Sequence, residues 1–430
     1  MRNSKRRLLK RIRFLINRSI KLLRKRSDRV RKKGAKKPSI REKFGQISAF
    51  LATKRFGKRL RRVTNDFVTI QIPPVFSFLE KPDEVIAILR HMYYCGTTTQ
   101  VKTLWFDHSK CNELGICAST VMDVILLDIT KKRRDRGGIF NLGGDMSKSG
   151  SVTDILEVSG LPKHLGFPEP EKKHIEKLEL QTAKVEEGLV QTRVVEYFLK
   201  CLATQGFTLT ADGRAKMLEM VGEVINNCKL HSGELQEWFV LGHYSKIPDQ
   251  NCGECHLTIF NFGNTIYESL LGHSISRNVV ETLKRVSSMH AGLFSPYWTE
   301  EALWTLYALQ DGVSRLKNQE NPDRGTGTVR FIEAFQSIGR SSDDKIPAMS
   351  ITSGRVHIYF DGTYKLKNQA FEGGGRQIIA FNKENNLHKP PDRKYIKILK
   401  NSFPGTVISM KFYLDHEYLY ERMAKGEQRE

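Results

Sequence analysis

EVINNCKLH, Glu223 to His231, sets a carboxylate, an amide and an imidazole at four-residue intervals: Glu223, Asn227 and His231. On a helix these three lie along one face. A solvated face would use Lys and Glu more freely, and a packed face would be apolar. Met220, Val224, Cys228 and Leu230 around them are the apolar residues of a core-facing helix that stops at Gly233. A polar stripe beside an apolar one points to a ligand wall.

Working outward, residues 171 to 204 read as helical and charged. HLTIFNFGNTI after the central helix reads as a strand running into a Gly turn. Residues 267 to 322 have mostly helical periodicity, and the loop DRGTGT opens a helix, VRFIEAFQSIG. AMSITSG, VHIYFDG, RQIIAFN and GTVISMKFYL read as closing strands. Helices first and strands last predict an α/β sandwich with helices on one sheet face. Towards the N-terminus, VTIQIPP alternates as a strand, and KPDEVIAILRHMYYC is a helix with an early Pro and an acidic first turn. VKTLWFDHS reads as a buried strand and ICASTVMDVILLDI as a helix; GGIFNLGG and DILEVSGLPKHLG complete a small α/β layer domain over residues 64–168. GFPEPEKK marks a boundary.

Hydrophobic residues make up 39% and charged residues 27% of the 430, the balance of globular domains. The net charge of +23 is localised. Residues 1–63 hold 26 Lys and Arg against Asp28 and Glu42, so the rest of the chain is nearly neutral. In the first 30 residues Leu8, Ile12, Leu15, Ile16, Ile20 and Leu23 recur at helical spacing, a basic amphipathic arm. Such an arm suits nucleic acid, RNA or DNA, through counterion release. An anionic membrane surface, an organelle transit peptide and an unstructured solubilising tail are its other readings. Seven scattered cysteines, no signal peptide and no apolar run near ~20 residues predict a soluble, cytoplasmic protein without a membrane span.

The polar stripe, the FNFGN turn and the RGTG loop each suit a nucleotide. An amide oxygen such as that of Asn227 is a hard ligand for Mg²⁺, and Glu223 one turn earlier can orient or deprotonate a water. Gly325 and Gly327 allow backbone to approach phosphate, and the helix near Val329 points its N-terminus at the anion. Gly263 permits a tight turn. Together, in order, these segments resemble the GHKL ATPase superfamily, the Bergerat fold of gyrase B subunits, histidine kinases and MutL. EVINNCKLH is similar to its E-x-x-x-N-x-x-x-H box, IFNFGNTI to its first glycine box and RGTGT to its second. The resemblance covers roughly residues 171–415 of a 171–420 domain. It implies ATP and Mg²⁺ as ligands, Glu223 as the water-activating carboxylate and Asn227, with Glu223, at the metal. It places His231, Asn261, Gly263, Arg324, Gly325, Thr326, Gly327 and Thr328 in the nucleotide site, under a long lid over 267–322. Three positions depart from the family pattern: Asn261 stands for the adenine-reading Asp, Thr265 for a glycine, and Leu230 for a basic residue.

Residues 64–168 resemble a STAS-like domain, the fold of anti-anti-sigma factors, through LWFDHSKCNEL. The acceptor serine of that family is missing, since Leu114, Gly115, Ile116 and Cys117 follow. A docking or self-association role is the expectation there. The implied function is a prokaryotic ATP-binding protein that hydrolyses ATP slowly, coupled to lid closure or dimerisation, with the arm on nucleic acid. A serine/threonine kinase of the anti-sigma type and a non-catalytic nucleotide sensor are the alternatives. C-x-x-C-H at Cys252–His256 resembles a haem attachment, and Cys228, His231, Cys252 and Cys255 have the residue types of a zinc set. Small buried or exposed thiols are the plainer reading. His174 reads as a solvated helical side chain, and Trp298, Trp304 and Tyr307 as lid packing.

Overall fold

A computed structural model describes residues 45–51, 60, 62–137, 139–159, 175–183, 186–232, 237–247, 249–271, 281, 283–285, 288, 297–310, 327–337, 346–371 and 374–427. Residues 1–44 of the basic arm and His174 lie outside them. The first strands, β1 (Phe67–Gln71), β3 (Thr103–Asp107) and β5 (Asn141–Asp145), form a parallel sheet in the order β1-β3-β5. A short parallel pair, β2 (Val75–Phe76) and β4 (Glu113–Leu114), sits beside it. α1 (Pro82–Thr97) starts with Pro82, Asp83 and Glu84, a first turn matched to the positive end of the helix dipole. α2 (Ile116–Asp135) ends in Lys132, Arg133 and Arg134, matched to the negative end. α3 (Gly150–Ser159) completes this part. β3 is not the fully buried strand its sequence implies, because TLWFD alternates between half-buried and buried. Helices cover one face of this sheet, with Ile70, Leu104 and Phe106 inside.

The second part holds β6 (Ile175–Thr182), α4 (Glu187–Ala203), α5 (Ala211–His231), β7 (Trp238–Lys246), β8 (Cys252–Asn261), α6 (Ile266–Leu270), α7 (Glu300–Tyr307) and α8 (Gly327–Ser337). β9 (Ala348–Phe360), the hairpin β10 (Lys367–Phe371) and β11 (Gly374–Ile378), β12 (Ile396–Asp415) and α9 (His416–Glu427) follow. Five strands make an antiparallel sheet in the order β6-β7-β8-β12-β9. The stretch expected to be helical from residue 171 onward is instead strand over Ile175–Thr182. Its charged residues suit an edge strand, where Lys and Glu discourage further pairing. AMSITSG and VHIYFDG are one strand, β9, which continues through Gly354 in a left-handed conformation, φ +59. β12 is longer than GTVISMKFYL because IKILKNSFPG joins it, with register shifts around Phe403 and Thr406 where Pro404 and Gly405 (φ +145) bulge out.

Both faces of the five-stranded sheet are buried. On one, α4, α5, α7 and α8 pack on Leu257, Ile259, Met410 and Phe412. On the other, α1 and α2 pack on Phe260, Phe262, Phe403 and Val407, so the same two helices lie between the parallel and the antiparallel sheets. Phe50, from the 3-10 helix Ile47–Leu51, enters this layer and meets Phe262 and Phe403 at ring-centroid distances of 5.9 and 5.7 Å. Arg90 of α1 donates to Asn401 Oδ1 at 3.0 Å and fastens the helix to β12. The described chain is an α+β structure, and Gly45–Glu430 forms one compact unit. No helix among the described residues is long and apolar enough to cross a membrane.

The second face is unusually polar. His243 and His256 stand opposite each other on β7 and β8, rings 6.0 Å apart. His256 Nε2 meets Glu254 Oε1 at 2.6 Å, and Lys411 Nζ meets Glu254 Oε2 at 3.1 Å. The His256 and Lys411 contacts outweigh burial and hold the Glu254 carboxyl down to about 2, whereas burial, then His256, pushes His243 down to about 3. Glu254 and Asp154 pull His243 the other way and Lys177 reinforces the shift. A histidine depressed in the folded state favours unfolding as pH falls below its unfolded value, about 6.5. Stability should therefore decline from about pH 6.5 towards 3, and His243→Phe should flatten part of that limb. Urea midpoints measured across this range test it; an unaltered acid limb in the variant would exclude His243 as a cause.

Candidate functional site

α5 begins at Thr210, whose side chain accepts from Gly213 N at 3.1 Å as an N-cap. Val221, Val224, Ile225 and Cys228 bury one stripe against the sheet. Glu223, Asn227 and His231 run half-buried along the flank of that stripe. Glu219, one turn earlier on the same line, is ion-paired with Arg330 of α8. The first turns of α8 are thereby set beside the flank that carries Glu223. Gly327 and Thr328 open α8; Arg324, Gly325 and Thr326 lie outside the described residues.

The other end of α5 receives the Phe262–Thr265 turn. Asn264 N donates to His231 O at 2.8 Å, and His231 Nδ1 meets Ser269 Oγ at 2.8 Å. A Cβ at Gly263 would stand 2.1 Å from His231 O, so only glycine lets the turn approach this closely. From below, Gln46 donates to Ser232 O, and its own N–H donates to Glu237 Oε2 at 3.2 Å. Burial, then the nearby Asp128 carboxylate, raises the Glu237 carboxyl above its ordinary range.

Asn261 ends β8 and is only 2% exposed. Its Nδ2 donates to Cys228 O at 3.2 Å and its Oδ1 accepts from Thr406 N at 3.2 Å. Both ends of the amide are used to join the last turn of α5 to β12. This explains the amide where the resemblance implies a carboxylate: an ionised Asp could accept from Thr406 but would oppose the Cys228 carbonyl. Thr265 is likewise accounted for. It caps α6 in a capping box, accepting from Glu268 N at 3.0 Å while Glu268 Oε2 accepts from Thr265 N at 3.0 Å. A glycine there would lose the cap.

Sequence reasoning missed three contributors at this end of the sheet. Ser353 Oγ accepts from Ile266 N at 2.8 Å and meets Thr406 Oγ1 at 2.9 Å. Gly405 lies so near Asn261 that a Cβ would stand 2.0 Å from its carbonyl oxygen. Glu301, on α7 within the expected lid, accepts from Arg355 N at 2.8 Å, and burial raises its carboxyl against the opposing pull of Arg355. Pro404–Gly405 was the one local signal; the others arise from pairings over long sequence distances. Trp298 and Trp304 are buried in the core of the sandwich, and Tyr307 packs against it.

The haem and zinc readings lose their geometry. Cys252 and Cys255 are both buried, and three residues apart on a strand they project to opposite faces. No group of three or more His, Cys, Asp or Glu among the described residues could hold a metal ion. A site built from one amide, one carboxylate, phosphate oxygens and waters needs no such group. Comparison with family models, curated proteins and solved structures gives no match to this chain.

Asn261→Ala should cost about 1–3 kcal/mol, since it strands a buried carbonyl and a buried N–H. Asn261→Asp should be tolerated when protonated and lose stability as pH rises above about 4, because the fold raises the pKa of a carboxyl held against Cys228 O. Urea midpoints from pH 4 to 8 read both effects; an Asp variant whose stability rises with pH would contradict the assignment of these bonds.

Proposed function

We propose that residues 171–420 are a GHKL-type, Bergerat-fold nucleotide-binding domain and that residues 64–168 are a STAS-like docking domain. The observation that carries this reading is the half-buried stripe Glu223, Asn227, His231, with α8 beside its start and the glycine turn seated on its end. The oxygen donors of Asn227 and Glu223 fit Mg²⁺, a hard cation that keeps several waters. When bound, that ion neutralises developing charge on phosphate oxygens. Asn227 and Glu223 would hold it, the RGTG loop would supply backbone N–H groups to phosphate, and Glu223 would also orient the attacking water. Asn261 contributes position and not base reading, because its amide is already bonded at both ends. Nucleotide binding in this reading therefore leans on phosphate and metal, and the reaction is slow ATP hydrolysis coupled to lid closure or dimerisation. The nucleotide state would govern what the arm does on nucleic acid.

Phosphotransfer to the chain's own STAS-like loop has little support. Cys117 stands near the missing serine position, and its thiol is buried and pushed up to about 12. A nucleotide sensor without turnover remains the distinct outcome of the assay that follows.

Purified protein with labelled ATP and Mg²⁺ should release phosphate, and Glu223→Ala should lower the rate by about 10²-fold or more while nucleotide still binds. Asn227→Ala should weaken the Mg²⁺-dependent part of binding. Label on protein would instead indicate a kinase, binding without product a sensor, and no nucleotide binding would sink the reading. Separately, deleting residues 1–37 removes 18 Lys and Arg and should sharply weaken nucleic-acid binding and reduce its salt dependence. Undiminished affinity would remove the arm from that role.

A further inference from the structure

The parallel sheet β1-β3-β5 has one face under α1 and α2, while its other face carries exposed or half-exposed side chains. Parallel sheets are ordinarily covered on both faces. Phe67, 51% exposed, and the half-buried Trp105 occupy the open face, ring centroids 6.1 Å apart and planes inclined by 30°. Trp105 is paired in register with Gly143, where a Cβ would come 2.4 Å from the indole, so the ring lies flat on bare backbone. Trp105 Nε1 donates to Asp145 Oδ2 at 2.7 Å and fixes the ring in that pose. The result is a held aromatic surface, ordered before anything binds.

One edge of this face is basic. The exposed Arg62 leads into β1. Lys102 immediately precedes β3, with Asp66 3.8 Å away, and Arg134 and Arg136, at the end of α2 and just past it, stand ahead of β5, Arg136 also donating to Thr97 O at 3.2 Å. Arg133 in the same turn is locked by Thr98 O and Val101 O, at 3.0 and 2.5 Å, and stiffens that edge. Asp66 is the carboxylate at this basic end, whereas Asp107 and Asp145 lie at the opposite ends of their strands, already bonded to Gln71 and Trp105. Cations at one edge and flat rings in the middle are complementary to a strand with phosphates on one side and unstacked bases on the other.

The geometry points to a single-stranded nucleic-acid site on this open sheet face, with bases stacked on Phe67 and Trp105 and phosphates along the Lys102–Arg136 edge. Duplex is a poor occupant because its bases are already stacked. The inference shares the nucleic-acid partner of the preceding proposal and is independent of the nucleotide site.

Four tryptophans are present in the chain, and Trp238, Trp298 and Trp304 are no more than 8% exposed, so acrylamide quenching reports chiefly on Trp105. Adding a thymidine 20-mer to the full chain should shield Trp105 saturably. By anisotropy of the labelled 20-mer, Trp105→Ala and Phe67→Ala should each weaken binding about tenfold, the worth of one base–aromatic stack, with the salt slope unchanged. Trp105→Phe should restore most of the affinity, and Phe67→Ala, at an exposed strand start, serves if Trp105→Ala fails to fold. Binding of the 20-mer with unshielded Trp105 and undiminished affinity in the variants would overturn this site and leave the arm as the binder. Shielding by anionic phosphatidylserine vesicles but not by the 20-mer would overturn it in favour of a lipid surface. No binding of the 20-mer would remove both this site and the nucleic-acid role of the arm.

Discussion

The Asn261 amide is the contact on which the candidate site depends. A β-strand end, a helix end and a bulge in a neighbouring strand must meet there without water, and each brings a backbone group that needs a partner. One side chain with a donor on one side and an acceptor on the other satisfies Cys228 O and Thr406 N together. The two glycines beside it, Gly263 and Gly405, remove the side chains that would hold the segments apart. Removing a buried partner costs more than making the bond gains, so this junction tolerates little change.

The same junction ties the two cores together. Phe262 follows Asn261 by one residue, Phe403 precedes Thr406 by three, and both turn into the layer formed by α1, α2 and Phe50. Their rings stack at 5.5 Å. One sheet thus serves two apolar cores, and the helices of the first part cover the second sheet as well as their own. The polar row of His243, His256, Glu254 and Lys411 on that face is held by ion pairing where partners reach it, and by an uncharged imidazole where they do not.

Two positions at which the sequence departs from the pattern it resembles have structural reasons. Asn261 makes a two-sided bond between α5 and β12, and Thr265 caps α6. Glu223 and Asn227 lie half-buried on a flank shared with Glu219 and its partner Arg330. In the proposed nucleotide-binding reading, the residue types expected at phosphate and metal are present, whereas Asn261 is used in packing.

The sequence by itself determined the elements whose signals are local. The apolar spacing along EVINNCKLH gives α5; Pro82, Asp83 and Glu84 give the start of α1; alternation gives β1; a Gly turn ends β8. It also determined the polar stripe, because four-residue spacing needs no tertiary information. Tertiary structure decided the rest. Charged IEKLELQT became a strand because β7 offered an edge to pair with, outweighing local propensity. Gly354 let one strand run through what reads as two, and α2 came to lie between two sheets. Whether Asn261 faces a ligand or the protein interior depends on Cys228 and Thr406, which stand 33 and 145 residues away along the chain. Hydrogen-bond partners at such distances are set by packing, so no local pattern records them.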